Sequence, residues 1–221
     1  MNDSTERIGR TVFLVLCLCA PVRLFAQFGE FSSEELRLRA VGLDFGVLGG
    51  TNILGTGTVA VRFDIGTVAP RTRVVLGLSY FRSNVSSTAL HRFEDRLQSV
   101  VIDPSGDDTV NLGEINWGDV TADLDVQYLL PQGHAVLVYS GLGLSVHARN
   151  GTGTAIRGTF VEDALDGITA GLNATLGVEI GAKRWRLAVE GRGVLASGLS
   201  TASISMGVRY RVGVGGKAGV P

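Results

Sequence analysis

Apolar residues recur at every second position in eight separate stretches of this chain, and that period of two excludes most folds. The last stretch is the clearest: Ala202, Ile204, Met206, Val208 and Tyr210 alternate with serine, glycine and arginine. Side chains at i and i+2 share one face of a β-strand, whereas a helix repeats about every 3.6 residues. Each stretch is therefore predicted to be a strand with one apolar face and one small or polar face.

The eight predicted strands lie at residues 40–47, 59–66, 74–81, 119–128, 136–145, 170–180, 185–192 and 202–212. Glycine makes up 31 of the 221 residues, about twice its usual share, and on these strands it falls mainly opposite the Val, Leu and Ile face. Small residues and mixed charges suit the narrow lumen of a small closed barrel. Apolar side chains outside and polar ones inside are typical of transmembrane barrels.

The connections between the predicted strands alternate in length. Three are tight, at residues 69–72, 130–133 and 182–184. They alternate with a short loop at 48–57, a very long connection at 83–116, a long one at 148–167 and a moderate one at 196–201. Outer-membrane barrels have short periplasmic turns and longer outer loops. The alternation favours a membrane barrel over a sandwich and places both termini on the periplasmic side.

The first 26 residues are predicted to be a signal peptide. Arg7 and Arg10 precede a 12-residue apolar stretch, residues 11–22, which matches a secretory core and is too short to span a bilayer. Both cysteines, Cys17 and Cys19, lie in this segment, so the exported chain is expected to have no disulfide and no cysteine ligand or nucleophile. The predicted domains are the signal peptide (1–26), the barrel (27–212) and a short tail (213–221).

The strand pattern, the loop alternation and the final segment, residues 203–212, resemble the small eight-stranded outer-membrane barrels of the OmpA/OmpX type. The final segment is similar to the family's C-terminal assembly signal, with Tyr210 as its aromatic residue. The resemblance implies an all-β, closed, up-and-down antiparallel barrel in the bacterial outer membrane. It also implies membrane lipid and the barrel-insertion machinery as partners, and a monomer.

Ten charged residues are predicted to face the lumen and pair across strands, because an unpaired buried charge is costly. They are Arg62, Asp64, Asp123, Asp125, Glu179, Arg186, Glu190, Arg192, Arg209 and Arg211. The favoured interpretation is a polar plug, and the alternative is a gated ion path. Three aromatic residues next to predicted periplasmic ends, Tyr128, Trp185 and Tyr210, are predicted to form an interfacial belt.

The favoured function is a structural or surface-interaction role, with no catalytic residue, metal or cofactor. A net charge of −1 gives no indication of nucleic-acid binding. His91, His134 and His147 are each interpreted as solvated or hydrogen-bonded. The alternatives are a barrel enzyme or transporter for lipid-like molecules, such as a lipid A-modifying enzyme, and a soluble secreted barrel that binds small apolar ligands.

The connection at residues 83–116 is the predicted functional surface. Ala89, Leu90, Phe93 and Leu97 have helical spacing, which indicates either a short amphipathic helix or, alternatively, two strands that extend above the bilayer. The acidic segment at residues 103–108 that follows is predicted to be a turn.

Overall fold

The computed structural model describes residues 36–100, 112–132, 135–182 and 184–212, so the predicted signal peptide and tail lie outside the described residues. The eight strands are β1 (Leu36–Gly50), β2 (Thr56–Ala69), β3 (Thr72–Asn84), β4 (Ile115–Gln132), β5 (Val136–Gly153), β6 (Gly167–Ala182), β7 (Trp185–Ala196) and β8 (Leu199–Arg211). Each strand pairs antiparallel with its neighbours in sequence, and β1 pairs with β8. The predicted closed up-and-down barrel is confirmed.

The apolar faces of the strands point away from the barrel axis. Leu142 and Leu144 of β5 are 63% and 60% exposed, whereas Ser145 is 2% exposed. Outward-facing charged residues on the described strands are Arg37 and Arg39 at one end and Arg82 at the other. The band between them has the uncharged apolar surface that a bilayer requires.

The two ends of the barrel differ in how the strands are joined. At the turn end, β2–β3, β4–β5 and β6–β7 are joined by connections of two or three residues; at the loop end, β1–β2, β3–β4 and β5–β6 have longer ones. The prediction of a moderate connection at residues 196–201 is wrong, because Ala196 pairs with Leu199 and only Ser197 and Gly198 lie between β7 and β8. Gly198 has a φ of +75°, a left-handed conformation that glycine adopts without strain and that permits this tight turn.

Within the described residues, two helices lie at the loop end. Helix α1 (Ser87–Val100) follows β3, and helix α2 (Phe160–Leu165) precedes β6. Of the two predicted conformations for the long connection, the structure has the helix; the acidic segment at 103–108 lies outside the described residues. Neither helix is long and apolar enough to cross a membrane.

The helices enclose an apolar cluster above the barrel. Its buried members are Leu112, Ile115, Ile156 and Val161, and side chains of α1 and α2, among them Leu90, Phe93, Leu97 and Leu165, pack against them. The apolar residues of α1 therefore pack against the connection between β5 and β6.

Candidate functional site in the barrel lumen

The ten predicted lumen charges all lie at inward-facing positions of the strands. They do not form a single cluster: nine belong to a central network or a turn-end network, and Arg211 lines the turn-end cavity beside Asp64 and Arg186. Asp123, Asp125, Glu179 and Glu190 are at most 6% exposed, whereas Asp64 is partly exposed. The strand register sets the level of each residue along the barrel and thereby decides which charges can meet.

The central network joins three arginines to four carboxylates, with Arg62, Arg192 and Arg209 facing Asp44, Asp123, Asp125 and Glu190. Arg192 contacts three carboxylates: Asp125 at 2.5 Å, Asp123 at 3.1 Å and Glu190 at 3.2 Å. Arg62 of β2 reaches over Gly77 of β3 to Asp123 of β4, at 2.7 Å. Every arginine of this network contacts at least one carboxylate, so none of them is an uncompensated buried charge.

Sequence reasoning did not include Asp44 among the lumen charges, although it lies on the polar face of the first predicted strand. Asp44 is 2% exposed and accepts hydrogen bonds from both terminal nitrogens of Arg209. This fork-to-carboxylate arrangement is the strongest geometry for an arginine pair. The period-two alternation was the signal that would have identified it.

Tyr139 crosses the lumen beside the central network. Its side chain is fully buried, and its hydroxyl donates to Glu190 Oε2 at 2.9 Å. The ring lies against Gly177 of the adjacent strand, in space that even one Cβ at that position would occupy. A glycine is required there because the aromatic ring fills the volume of the missing side chain.

The turn-end network is centred on Arg73, another residue that sequence reasoning missed. Arg73 contacts Glu179 at 2.7 Å and Asp64 at 3.5 Å, and its Nε donates to Gln127 at 2.8 Å. Arg186 lies 3.5 Å from the second oxygen of Glu179. Arg73 was missed because it precedes the predicted strand by one residue, whereas β3 begins at Thr72.

A third polar group, also absent from the predicted charge set, lies near the loop end. Asp119 is 1% exposed and accepts hydrogen bonds from Thr121 at 2.6 Å and from Arg149 Nε at 3.2 Å. His147, interpreted from the sequence as solvated or hydrogen-bonded, is buried and lies 3.2 Å from Asp119 and 2.9 Å from Ser145.

Two small cavities lie along the barrel axis, each with a volume of about 40 Å³. One opens among residues nearer the loop end and the other among residues nearer the turn end, and both are lined by Arg62 and Glu190. A cavity of this size holds a few water molecules. Among the described residues, no group of three or more His, Cys, Asp or Glu side chains is placed to hold a metal ion.

The three predicted interface aromatics all lie near the turn end. Trp185 and Tyr210 are directly opposite each other on β7 and β8, with ring centroids 4.8 Å apart. Tyr128 lies on β4, away from this pair. The structure therefore brings two of the three together, next to the apolar band.

Solved structures with a similar architecture include outer-membrane barrels. The crystal structure of Neisserial surface protein A aligns with 78% of this chain and 96% of that protein, with a TM-score of 0.52 and 13% identity. This is the fold of the outer-membrane barrels. The resemblance seen in the sequence is confirmed at the level of the fold, and the uncharged apolar exterior agrees with the predicted location in the bacterial outer membrane.

Two further structures align over a similar share of the chain. Ail of Yersinia pestis, in complex with the heparin analogue sucrose octasulfate, covers 79% of this chain and 99% of its own, with 9% identity and a TM-score of 0.43. The N-terminal β-barrel domain of Pseudomonas aeruginosa OprF covers 79% and 98%, with 12% identity and a TM-score of 0.42. No family model and no curated protein matches the sequence.

Proposed function

We propose that this chain is an outer-membrane barrel with a structural or surface-interaction role, whose lumen is closed to ions by its own side chains. The observation that supports this most is the layer of Arg62 and Glu190 between the two cavities. Both residues belong to the central network, in which Arg62 of β2 and Arg192 of β7 both contact Glu190. An ion that crossed this layer would have to displace buried charge pairs, which is energetically costly.

Conductance in planar bilayers tests the closed lumen. The full chain, reconstituted at known density, is expected to give no steady channels at moderate voltage. A Glu190→Ala variant removes the acceptor of Tyr139 and one carboxylate partner of Arg192, so it is expected to conduct at least intermittently. A steady conductance in the unaltered protein contradicts the plug and favours the ion path.

The surface-interaction role is supported by the loop end. Helices α1 and α2 pack on a shared apolar cluster, so they present a fixed surface above the membrane and not a flexible loop. Thr159 caps α2 by accepting a hydrogen bond from the Val161 amide, which further defines that surface. Protease digestion of intact cells, with the expected cuts confined to this end, tests whether it faces the exterior.

Membrane insertion itself is tested by fractionation and by gel mobility before and after heating. A soluble ligand-binding barrel would place its leucines in the core, whereas Leu172 and Leu176 are 61% and 64% exposed here. We therefore expect the protein in the membrane fraction, with a mobility that changes on heating. A chain that remains soluble without detergent contradicts the proposal.

A further inference from the structure

Ser145, His147 and Asp119 lie in a row on the lumen wall, in contact with one another. Ser145 and His147 are successive inward positions of β5, and Asp119 lies on β4. Ser145 Oγ is 2.9 Å from His147 Nε2, and His147 Nδ1 is 3.2 Å from both oxygens of Asp119. Nucleophile, base and orienting carboxylate thus have the connectivity of a serine–histidine–aspartate triad, which is recognised by geometry and not by order in the sequence.

The hydrogen-bond partners of His147 indicate which ring nitrogen carries the proton. His147 Nδ1 lies 3.0 Å from the Thr121 hydroxyl, whose own proton goes to Asp119, and 3.2 Å from the Asp119 carboxylate, so both neighbours of Nδ1 accept and the imidazole proton is assigned to Nδ1. In the tautomer with the proton on Nδ1, Nε2 has the lone pair and faces the Ser145 hydroxyl. Ser145 therefore donates to a base that is held in the correct tautomer, which is the condition for a nucleophilic serine.

Space beside Ser145 Oγ is provided by the loop-end cavity and by Gly171. A Cβ on Gly171 would lie 2.8 Å from Ser145 Oγ, so the missing side chain leaves the hydroxyl free on that side. Ser145 and His147 line the 40 Å³ cavity together with Arg62 and Arg192. Asp123 and Glu190 line the same cavity and pair with these arginines, so the space beside the hydroxyl is polar and its charges are balanced.

The same cavity is bounded toward the loop end by apolar side chains. Leu199 and Phe81 line it and are 3% and 5% exposed, and both pack in a cluster with Ile53. A molecule that enters from the loop end must pass these side chains. The cavity volume and the apolar entrance together select small, uncharged groups.

We propose that Ser145 is a base-activated nucleophile that accepts small uncharged acyl or sulfonyl groups delivered from the loop end. Ser145 Oγ forms a bond to the electrophilic carbon or sulfur while the bond to the leaving group breaks. The hydroxyl proton passes to His147 Nε2 and then to the departing group. This inference adds a reactive site to the closed lumen and does not require ions to cross it.

The test uses methanesulfonyl fluoride, a small uncharged sulfonyl donor from which fluoride departs, on the full chain folded in detergent micelles. Intact mass and peptide mapping are expected to show one methanesulfonyl group, on Ser145. Ser145→Ala should abolish it, and His147→Gln should slow labelling at least about 100-fold, the typical contribution of a positioned base. Ser203→Ala is the matched control, since Ser203 lines the same cavity but lies on β8, and it should label as the unaltered protein does.

Access and reactivity are separated by Leu199→Ala, which widens the entrance without touching the triad. The proposal is supported if Ser145 is labelled faster in this variant than in the unaltered protein. It is also supported if Ser145 is labelled in this variant and labelling of the unaltered protein is too slow to measure. The proposal is overturned if Ser145 stays unlabelled in both proteins, if His147→Gln labels at the unaltered rate, or if Ser203 reacts equally. Heat-modifiable mobility verifies the fold of every variant.

Discussion

Arg192→Met removes the arginine on which three carboxylates of the central network converge. In the described part of the chain, Arg192 is the guanidinium within ion-pair distance of Asp125, which is fully buried. In the variant, Asp123 still has Arg62 as an ion-pair partner at 2.7 Å. Asp125 has only a neutral partner, the side-chain amide of Asn173 at 2.8 Å. The variant thus creates an uncompensated buried carboxylate, for which the expected loss of unfolding free energy is about 3–5 kcal/mol.

The assay is urea unfolding in micelles, followed by tryptophan fluorescence, with Trp117 and Trp185 as the two reporters. With a slope of about 2 kcal/mol per molar urea, the midpoint should fall by about 1.5–2.5 M. Arg82→Met is the matched control, because Arg82 is exposed and faces outward, and it should change stability by less than about 0.5 kcal/mol.

The decisive comparison is the double variant Arg192→Met with Asp125→Asn. If the cost comes from the abandoned charge on Asp125, neutralising that charge should recover about half or more of the lost stability, since an amide leaves an ordinary polar group in place. The reasoning is refuted if Arg192→Met costs less than about 1 kcal/mol. It is equally refuted if the double variant is no more stable than the single one.

Three further substitutions probe other parts of the barrel by the same urea assay. Leu142→Arg places a charge in the middle of the apolar exterior and should cost about 2–4 kcal/mol; no loss would contradict a lipid-facing band. Gly177→Val places a side chain where the Tyr139 ring lies, so it should cost about 1–3 kcal/mol by overpacking, unless the ring has another position. Trp185→Ala removes the aromatic partner of Tyr210 and should lower the unfolding free energy by about 0.5–1.5 kcal/mol more than the lost burial alone. A double-mutant cycle with Tyr210→Ala measures this coupling, and a coupling of zero would show that the two rings act independently.

The sequence predicted which residues share a face of each strand, because a period of two decides this once the strand is known. The small polar face and the alternating connection lengths then favoured the apolar face as the outer one. The sequence was less informative near strand ends. Arg73 and Arg149 lie one residue before and four residues after the predicted strands, at positions where turns and loops were expected, and both face the lumen. At Gly66, with a φ of +109°, the pairing of β2 changes register, and no alternation pattern indicates where such a change occurs.

Pairing within the lumen could not be predicted for a different reason. Arg62 and Asp123 are on strands β2 and β4, and Arg192 reaches Asp123 from β7. These contacts cross the barrel interior, so they depend on the stagger of all the strands and on long side-chain conformations. The alternation gives the inward-facing set of residues, whereas the closed register determines the partners. The Ser145–His147–Asp119 row depends on the same register, since it requires β4 and β5 to align Thr121 with His147.

The glycines and the large lumen side chains form one arrangement. Gly42 lies against Arg209, Gly77 against Arg62 and Gly177 against Tyr139, and in each case a Cβ would collide with the larger side chain. An eight-stranded barrel has an interior just wide enough for side chains, so an arginine that spans it needs a neighbouring position without one. Glycine weakens a strand taken alone, but here it allows the guanidinium groups to reach carboxylates across the lumen. The glycine excess and the buried charge network therefore have a common cause, which is the narrowness of the closed barrel.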